Sequence, residues 1–162
     1  MAAAAASDGL PLCPGSALVD GGNAHVWDVL EYGRPQRAFM LRFDGVVRAY
    51  INRCLHVPVE MDWQPGDFFD SDKRFIVCSI HGATYEPEDG RCVGGPCGRG
   101  RLTAVVVEER QGQVHWYPSR DIRRCVPCVP SAPSAPSAAL ATPTPPAPPA
   151  PPAPAAAEES SP

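Results

Sequence analysis

The sequence predicts an all-β domain built from short antiparallel strands, and three observations carry that prediction. Asp44-Gly45 stands between two strand-like runs, residues 38–43 and 46–51, and such a pair in such a setting is the strongest short-range hairpin signal. Turn-forming Gly, Pro, Asp and Ser recur at short intervals up to about residue 124. No stretch repeats its apolar residues with a helical period, which an amphipathic helix would need.

Residues 1–15 open on polyalanine and contain two prolines and a glycine, so they read as a loose leader. Gly21-Gly22 is a turn. Residues 25–30 mix β-branched and aromatic residues as a first strand does, and Gly33-Arg34-Pro35 breaks it. The hairpin around Asp44-Gly45 follows and delivers the chain to Cys54. A loop held on the end of a paired strand gains rigidity from the ladder. The connector 57–77 contains Pro58, Pro65-Gly66 and Ser71-Asp72-Lys73 and reads as loop, with residues 74–77 as a short strand. Residues 84–85 and 91–93 form the arms of a small hairpin. The valine-rich run 102–108 suits a strand buried on both sides, and Gln111-Gly112 turns it into a last strand at 113–117.

Beyond residue 124 the composition changes: thirteen of the 21 prolines lie from Pro127 onward, among Ala, Ser and Thr, without Lys or Arg. Such a segment carries too little bulky apolar surface to offset chain entropy. The expected organisation is therefore a leader at 1–15, one domain at 16–124 and a disordered Pro/Ala-rich tail at 125–162. A net charge of −4 and the lack of a basic stripe argue against a nucleic-acid partner. Nothing is long or apolar enough for a membrane span. No export signal is visible, so a cytoplasmic protein is expected.

Seven cysteines in that setting point to metal or redox chemistry rather than a disulfide framework. Two stretches answer each other, Cys54-Leu55-His56 and Cys78-Ser79-Ile80-His81, with 21 residues between His56 and Cys78. Each offers one thiolate and one imidazole. Two sulfurs and two nitrogens suit either a tetrahedral zinc or a [2Fe–2S] cluster with unequally ligated irons, and spacing alone does not choose.

The residues after Cys78 do choose. The run Cys78-x-x-His81-Gly82-Ala83, then Tyr85, a polar turn through Gly90, and Gly94-Gly95-Pro96 resembles the Rieske iron–sulfur family over residues 16–118, most strongly between Asn52 and Pro96. The resemblance implies a Rieske-type domain of small antiparallel sheets with two ligand loops. It implies one [2Fe–2S] cluster per chain, Cys54 and Cys78 on one iron and His56 and His81 on the other. It further implies that Gly94-Gly95-Pro96 forms a third loop over the cluster. Respiratory relatives add a disulfide between the ligand loops, but the corresponding positions here are Val59 and Ile80, which places the chain beside the small soluble ferredoxins. The connector is several residues longer than theirs. High-potential members place a serine and a tyrosine hydroxyl on the cluster sulfurs. Here those positions hold Ala83 and Tyr85, so a potential toward the low end of the family is expected.

The implied function is one-electron transfer, not catalysis, from a reductase upstream to an oxygenase or reductase downstream. Two alternatives are an accessory subunit similar to the small subunit of assimilatory nitrite reductase, and a zinc-bound interaction module. A chain of this size leaves no room for the catalytic domain of a terminal oxygenase. Among the other cysteines, Cys92 and Cys97 are expected as buried thiols, because a disulfide between them is improbable in a reducing compartment. Cys125-x-x-Cys128 reads as an incidental or weak metal-binding pair. His25 and His115 read as strand residues rather than ligands. The acidic connector, with Asp67, Asp70 and Asp72, is a candidate surface beside the histidines for steering a basic partner.

Overall fold

A computed structural model of the chain describes residues 9–125. The expectations for the first eight residues, for Cys128 and for the tail from residue 126 lie outside the described residues. Ten strands occur among those described: β1 (Leu10–Pro14), β2 (His25–Glu31), β3 (Arg34–Phe43), β4 (Val46–Ile51), β5 (Ile76–Val77), β6 (Thr84–Tyr85), β7 (Cys92–Gly94), β8 (Val107–Arg110), β9 (Gln113–Trp116) and β10 (Ile122–Arg124). Two single turns of 3-10 helix, Gly15–Ala17 and Gly95–Cys97, complete the described elements. The all-β prediction holds.

The strands form three sheets, ordered β1-β9-β8, β10-β2-β3-β4 and β5-β6-β7, with every pair antiparallel. The four-stranded sheet is the middle layer. Its β3 shows why: Ala38 and Met40 point into one core while Phe39 and Leu41 point into another, and all four are fully buried. Successive strand residues face opposite ways, so a run of four apolar residues marks a strand covered on both sides. The first core lies against the β1-β9-β8 sheet. The second is shared with the three-stranded sheet and the connector, and contains Cys54 and Cys78.

The Asp44-Gly45 turn closes β3 onto β4 with Phe43 opposite Val46, at φ of 50° and 74°. Both central residues are left-handed, as a two-residue hairpin with the native twist requires. The carboxylate of Asp20 accepts both exposed N–H groups, from Asp44 at 3.1 Å and Gly45 at 2.6 Å.

Four features differ from the sequence reading. The loose leader does not extend to residue 15, since Leu10–Pro14 pairs with β9 and buries Cys13. The first strand ends as expected, at Glu31, but Arg34 and Pro35 already belong to the next strand, Pro35 standing opposite Leu30 inside β3. The β3–β4 register begins only at Ala38, so no β4 partner waits for the N–H that Pro35 lacks. The run 102–108 is not a strand buried on both sides. Leu102 and Val105 are buried, whereas β8 starts at Val107 and is an exposed edge. Finally, Ile122–Arg124 pairs with β2, a strand that local composition does not announce.

One buried charge fixes the approach to the first ligand stretch. Glu31, the last residue of β2, is 3% exposed and accepts both guanidinium nitrogens of Arg53, one at 3.0 Å. Arg53 directly precedes Cys54. Breaking a buried pair leaves an uncompensated charge, although Arg53 is partly open to water, which softens the loss. Glu31→Ala is expected to cost about 2 kcal/mol, measured as a shift in the denaturant midpoint with unchanged slope.

Candidate metal centre

Strand β4 runs out of the middle sheet directly into the first loop. Asn52, 1% exposed, holds that loop to the connector. Its carbonyl oxygen accepts the Met61 N–H at 2.8 Å and its amide donates to Asp62 at 2.6 Å. The other oxygen of Asp62 accepts Gly66 N–H at 3.0 Å. Within the loop, Cys54 N–H donates to Val59 O at 3.0 Å. The second loop is closed from Cys78 N–H to Ala83 O at 2.8 Å and from Gly82 N–H to Cys78 O at 2.9 Å. Ser79 N–H donates to Met61 O at 2.8 Å, which ties the two loops together. Asn52 and Asp62 therefore position the first stretch, roles the sequence reading does not assign. The available signal was a buried-type amide two residues before a ligand and ten before a carboxylate.

The third loop seats on the second. Gly95 has φ of +74°, and a Cβ there would lie 2.5 Å from Gly82 O and 2.9 Å from Ala83 Cα. Only glycine fits that approach. Gly95 thus backs directly onto Gly82 and Ala83, and Gly94 pairs with Thr84.

The four proposed ligands divide by depth. Cys54 and Cys78 are 3% and 0% exposed, whereas His56 and His81 lie at the surface. The two imidazoles meet edge to face with centroids 4.9 Å apart. Burial acts against a thiolate at Cys54, yet hydrogen bonds from the Tyr85 hydroxyl and from the backbone N–H of His56 and Val57 hold its pKa below the ordinary thiol value. Burial pushes Cys78 up, against hydrogen bonds from Ile80 and His81 N–H.

Tyr85 is fully buried, and its oxygen lies 3.2 Å from Cys54 Sγ. Leu55 N–H donates to the same oxygen at 3.1 Å. A backbone N–H can only donate, so the phenol accepts there and its own proton is free to point at the sulfur. Burial raises the tyrosine pKa, which keeps that proton in place. Ala83, also fully buried, offers no hydroxyl.

This donor set fits a [2Fe–2S] cluster: two buried sulfurs ringed by N–H and O–H donors, with two neighbouring imidazoles on the outer side.

The remaining cysteines correct the sequence reading. Cys92 and Cys97 form a disulfide, with Cα atoms 5.9 Å apart. The compartment argument is outweighed by geometry: β7 and the 3-10 turn fold the chain back at Gly95, bringing the two residues within bridging range. Cys97 is buried in the core that holds Cys54 and Cys78, so the bridge clamps the third loop from behind. Closing so short a loop contributes about 2 kcal/mol in the chain-entropy view. A Cys92→Ser, Cys97→Ser variant should therefore melt several degrees below the oxidised protein and lose the response to added dithiol that the oxidised protein shows. Cys125 is also disulfide-bonded. His25 and His115 sit part-buried in β2 and β9.

The acidic connector does not flank the histidines along its whole length. Asp70 accepts the N–H groups of Arg74 and Phe75, Phe69 stacks on Phe43, and Gly21 lies against Lys73. Phe43 is at the far end of the β3–β4 hairpin, roughly 20 Å of strand from Ile51 and the first loop. Asp70 and Asp72 are turn residues at that end. Near the imidazoles the exposed surface is apolar: Leu55, Val59 and Ile80.

A Rieske [2Fe-2S] domain model matches residues 12–122. No curated protein sequence matches significantly. The ferredoxin of carbazole 1,9a-dioxygenase from Nocardioides aromaticivorans IC177 is 20% identical, with a TM-score of 0.53 over 68% of this chain and 99% of its own. The terminal oxygenase of carbazole 1,9a-dioxygenase from Novosphingobium sp. KA1 is 25% identical, with a TM-score of 0.51 over 66% of this chain and 28% of its own. A carbazole-bound oxygenase and ferredoxin complex of carbazole 1,9a-dioxygenase is likewise 25% identical, with a TM-score of 0.52 over 67% of this chain. This chain spans 28% of the matched chain there.

Proposed function

We propose, from the premise that this chain belongs to the Rieske [2Fe–2S] domain family, that it is a one-electron carrier serving an oxygenase partner. A [2Fe–2S] cluster takes up and releases one electron at a time. The chain's part is to hold it: Cys54 and Cys78 inside, His56 and His81 at the surface, with Gly82, Ala83, Tyr85 and the Gly94-Gly95-Pro96 loop around them. Replacing two thiolates with neutral imidazoles leaves the site less negative, so an added electron is easier to accept.

The single observation that carries this reading is the depth division between the cysteines and the histidines. It puts the two imidazoles where a partner can touch them and keeps water from the sulfurs. The apolar rim of Leu55, Val59 and Ile80 suits a short-lived protein contact. The likeness to ferredoxin and oxygenase structures supports a reductase upstream and an aromatic-ring oxygenase downstream. The unpaired thiols of Cys13, Cys54 and Cys78 suit a cytoplasmic setting, where thiolates stay available for iron. The domain assigned to this work runs from β1 to β10, earlier at its start than residue 16.

The test is iron and sulfide analysis of anaerobically prepared protein, followed by electron transfer from a ferredoxin reductase to a purified ring-hydroxylating oxygenase. About two irons and two sulfides per chain are expected, with nitrogen coupling in the reduced-state resonance spectrum and turnover that depends on this protein. Stoichiometric zinc, or an iron-loaded protein that passes no electrons to any such oxygenase, would overturn it.

A further inference from the structure

Trp63 stands on the connector with 80% of its surface open to water, the most exposed of the three tryptophans. Its backbone is nevertheless held. Asp62, the residue before it, accepts the Asn52 amide at 2.6 Å and Gly66 N–H at 3.0 Å. Asp67 N–H closes the turn onto Gln64 O at 3.0 Å. Gly66 has φ of +84°, and a Cβ there would lie 2.7 Å from Ala24 O. A fixed turn thus presents a bulky apolar ring to solvent. Met61, two residues before Trp63, is fully buried, and its carbonyl accepts the Ser79 N–H that joins the two ligand loops. Two residue steps lead from Trp63 to Met61 and two from Ser79 to His81, so Trp63 lies within roughly 20 Å of His81. A standard protein interface covers about 800 Å² on each partner, a patch roughly 30 Å across. One partner can therefore cover both the indole and the imidazoles. Four of the nine large apolar side chains that the described residues leave exposed are Leu55, Val59, Trp63 and Ile80. All four belong to the ligand loops or to the segment bonded to them, and exposed apolar residues need explaining when they gather.

We infer, resting on the carrier role proposed above, that Trp63 anchors the docking surface for the oxygenase partner and enters an apolar pocket with a basic rim on that protein. Tryptophan is enriched among the few residues that carry most of an interface's binding energy. It freezes only two side-chain torsions on binding, and with its turn already fixed little further ordering opposes the contact. The rim follows from charge. Asp62 bonds to neutral amide donors, and Asp67 is exposed. Neither joins an ion pair among the described residues. Two uncompensated carboxylates therefore border the indole, and a pocket ringed by Lys or Arg complements them. The acidic residues farther along the connector play no part in this contact, since Asp70 serves a turn at the other end of the hairpin.

The experiment takes a ring-hydroxylating oxygenase that the unmodified full-length protein reduces, and follows fluorotryptophan built into this chain alone by its fluorine resonances. Adding the oxygenase should shift the Trp63 signal and leave those of Trp27 and Trp116 in place. Trp63→Ala should weaken binding about thirtyfold, the loss expected of a dominant interface side chain, and Trp63→Phe should recover most of it. Asp67→Asn should slow association at low salt and flatten its salt dependence. Melting temperature and reduction potential should stay unchanged in these three variants, because neither side chain is part of a core. Val19→Ser is the control. Val19 is also exposed, but it precedes Asp20, which holds the far turn of the hairpin, and its variant should bind as the unmodified protein does. Equal affinity of the Trp63→Ala and unmodified proteins, or a Trp63 signal unmoved in a complex that transfers electrons, would overturn the anchor and leave the carrier role intact. A protein that reduces no such oxygenase would overturn both. A Trp63 signal that moves with this protein's own concentration would overturn the anchor in favour of a second copy.

Discussion

Cys54→Ser and Cys78→Ser should each yield protein without a cluster, whereas His81→Cys should retain one at a lower potential. The difference follows from depth and charge. Both cysteines are buried in the core shared by Phe39, Tyr85 and Cys97, and their sulfurs are surrounded by donors placed for negative charge. A serine oxygen is a poorer ligand for iron and sits too near the backbone to keep the same reach. His81 is at the surface, where a thiolate can replace imidazole without repacking. That change adds one negative charge. Going from two imidazoles to none separates Rieske centres from plant-type ferredoxins near −400 mV, so one replacement should lower the potential by on the order of 200 mV. Iron content, the visible spectrum and a potentiometric titration check both halves. A His81→Cys protein with an intact cluster and an unchanged potential would remove His81 from the ligand set.

The parts of this fold that are legible in the sequence are those decided locally. Asp44-Gly45 specifies its turn by backbone angles alone, and β3 and β4 follow from it. The Cys-x-His and Cys-x-x-His stretches are legible because a ligand pair a few residues apart must lie on one loop. What stays hidden is decided by distant partners. Leu10–Pro14 and Ile122–Arg124 are strands because β9 and β2 offer open edges, and neither carries a pattern of its own. The connector has no period. Its path is set by Asn52 gripping Asp62 and by Phe68 stacking on Phe39 at 3.8 Å.

Two misreadings share a cause: a general rule was applied where a specific geometry rules. Redox compartment argued against a Cys92–Cys97 bridge, yet the turn at Gly95 brings the residues together. Charge count marked the connector as one acidic surface, yet Asp70 is a turn acceptor at the far end of the hairpin while Asp62 is held by Asn52 beside the first loop. Trp27 and Trp116 read as core residues in their strands, and the structure adds that neither indole N–H has an acceptor among the described residues.

Tyr85→Phe should lower the reduction potential by about 60 mV and destabilise the fold by about 1–2 kcal/mol. The phenol has two partners: Cys54 Sγ at 3.2 Å and Leu55 N–H at 3.1 Å. A donor to a ligand sulfur stabilises the more negative, reduced site more than the oxidised one. If that preference is worth a factor of ten, it amounts to about 59 mV for one electron. The second effect is separate in origin. Without the phenol oxygen, Leu55 N–H keeps no acceptor, and a stranded buried donor costs about 1–3 kcal/mol, less here because Leu55 is itself partly open to solvent. Ala83→Ser should act in the opposite sense on the potential, by adding a hydroxyl beside Cys78. A potentiometric titration reads the first effect and a denaturant melt of the oxidised protein reads the second. An unchanged potential with a shifted melt would mean that Tyr85 serves only to seat Leu55.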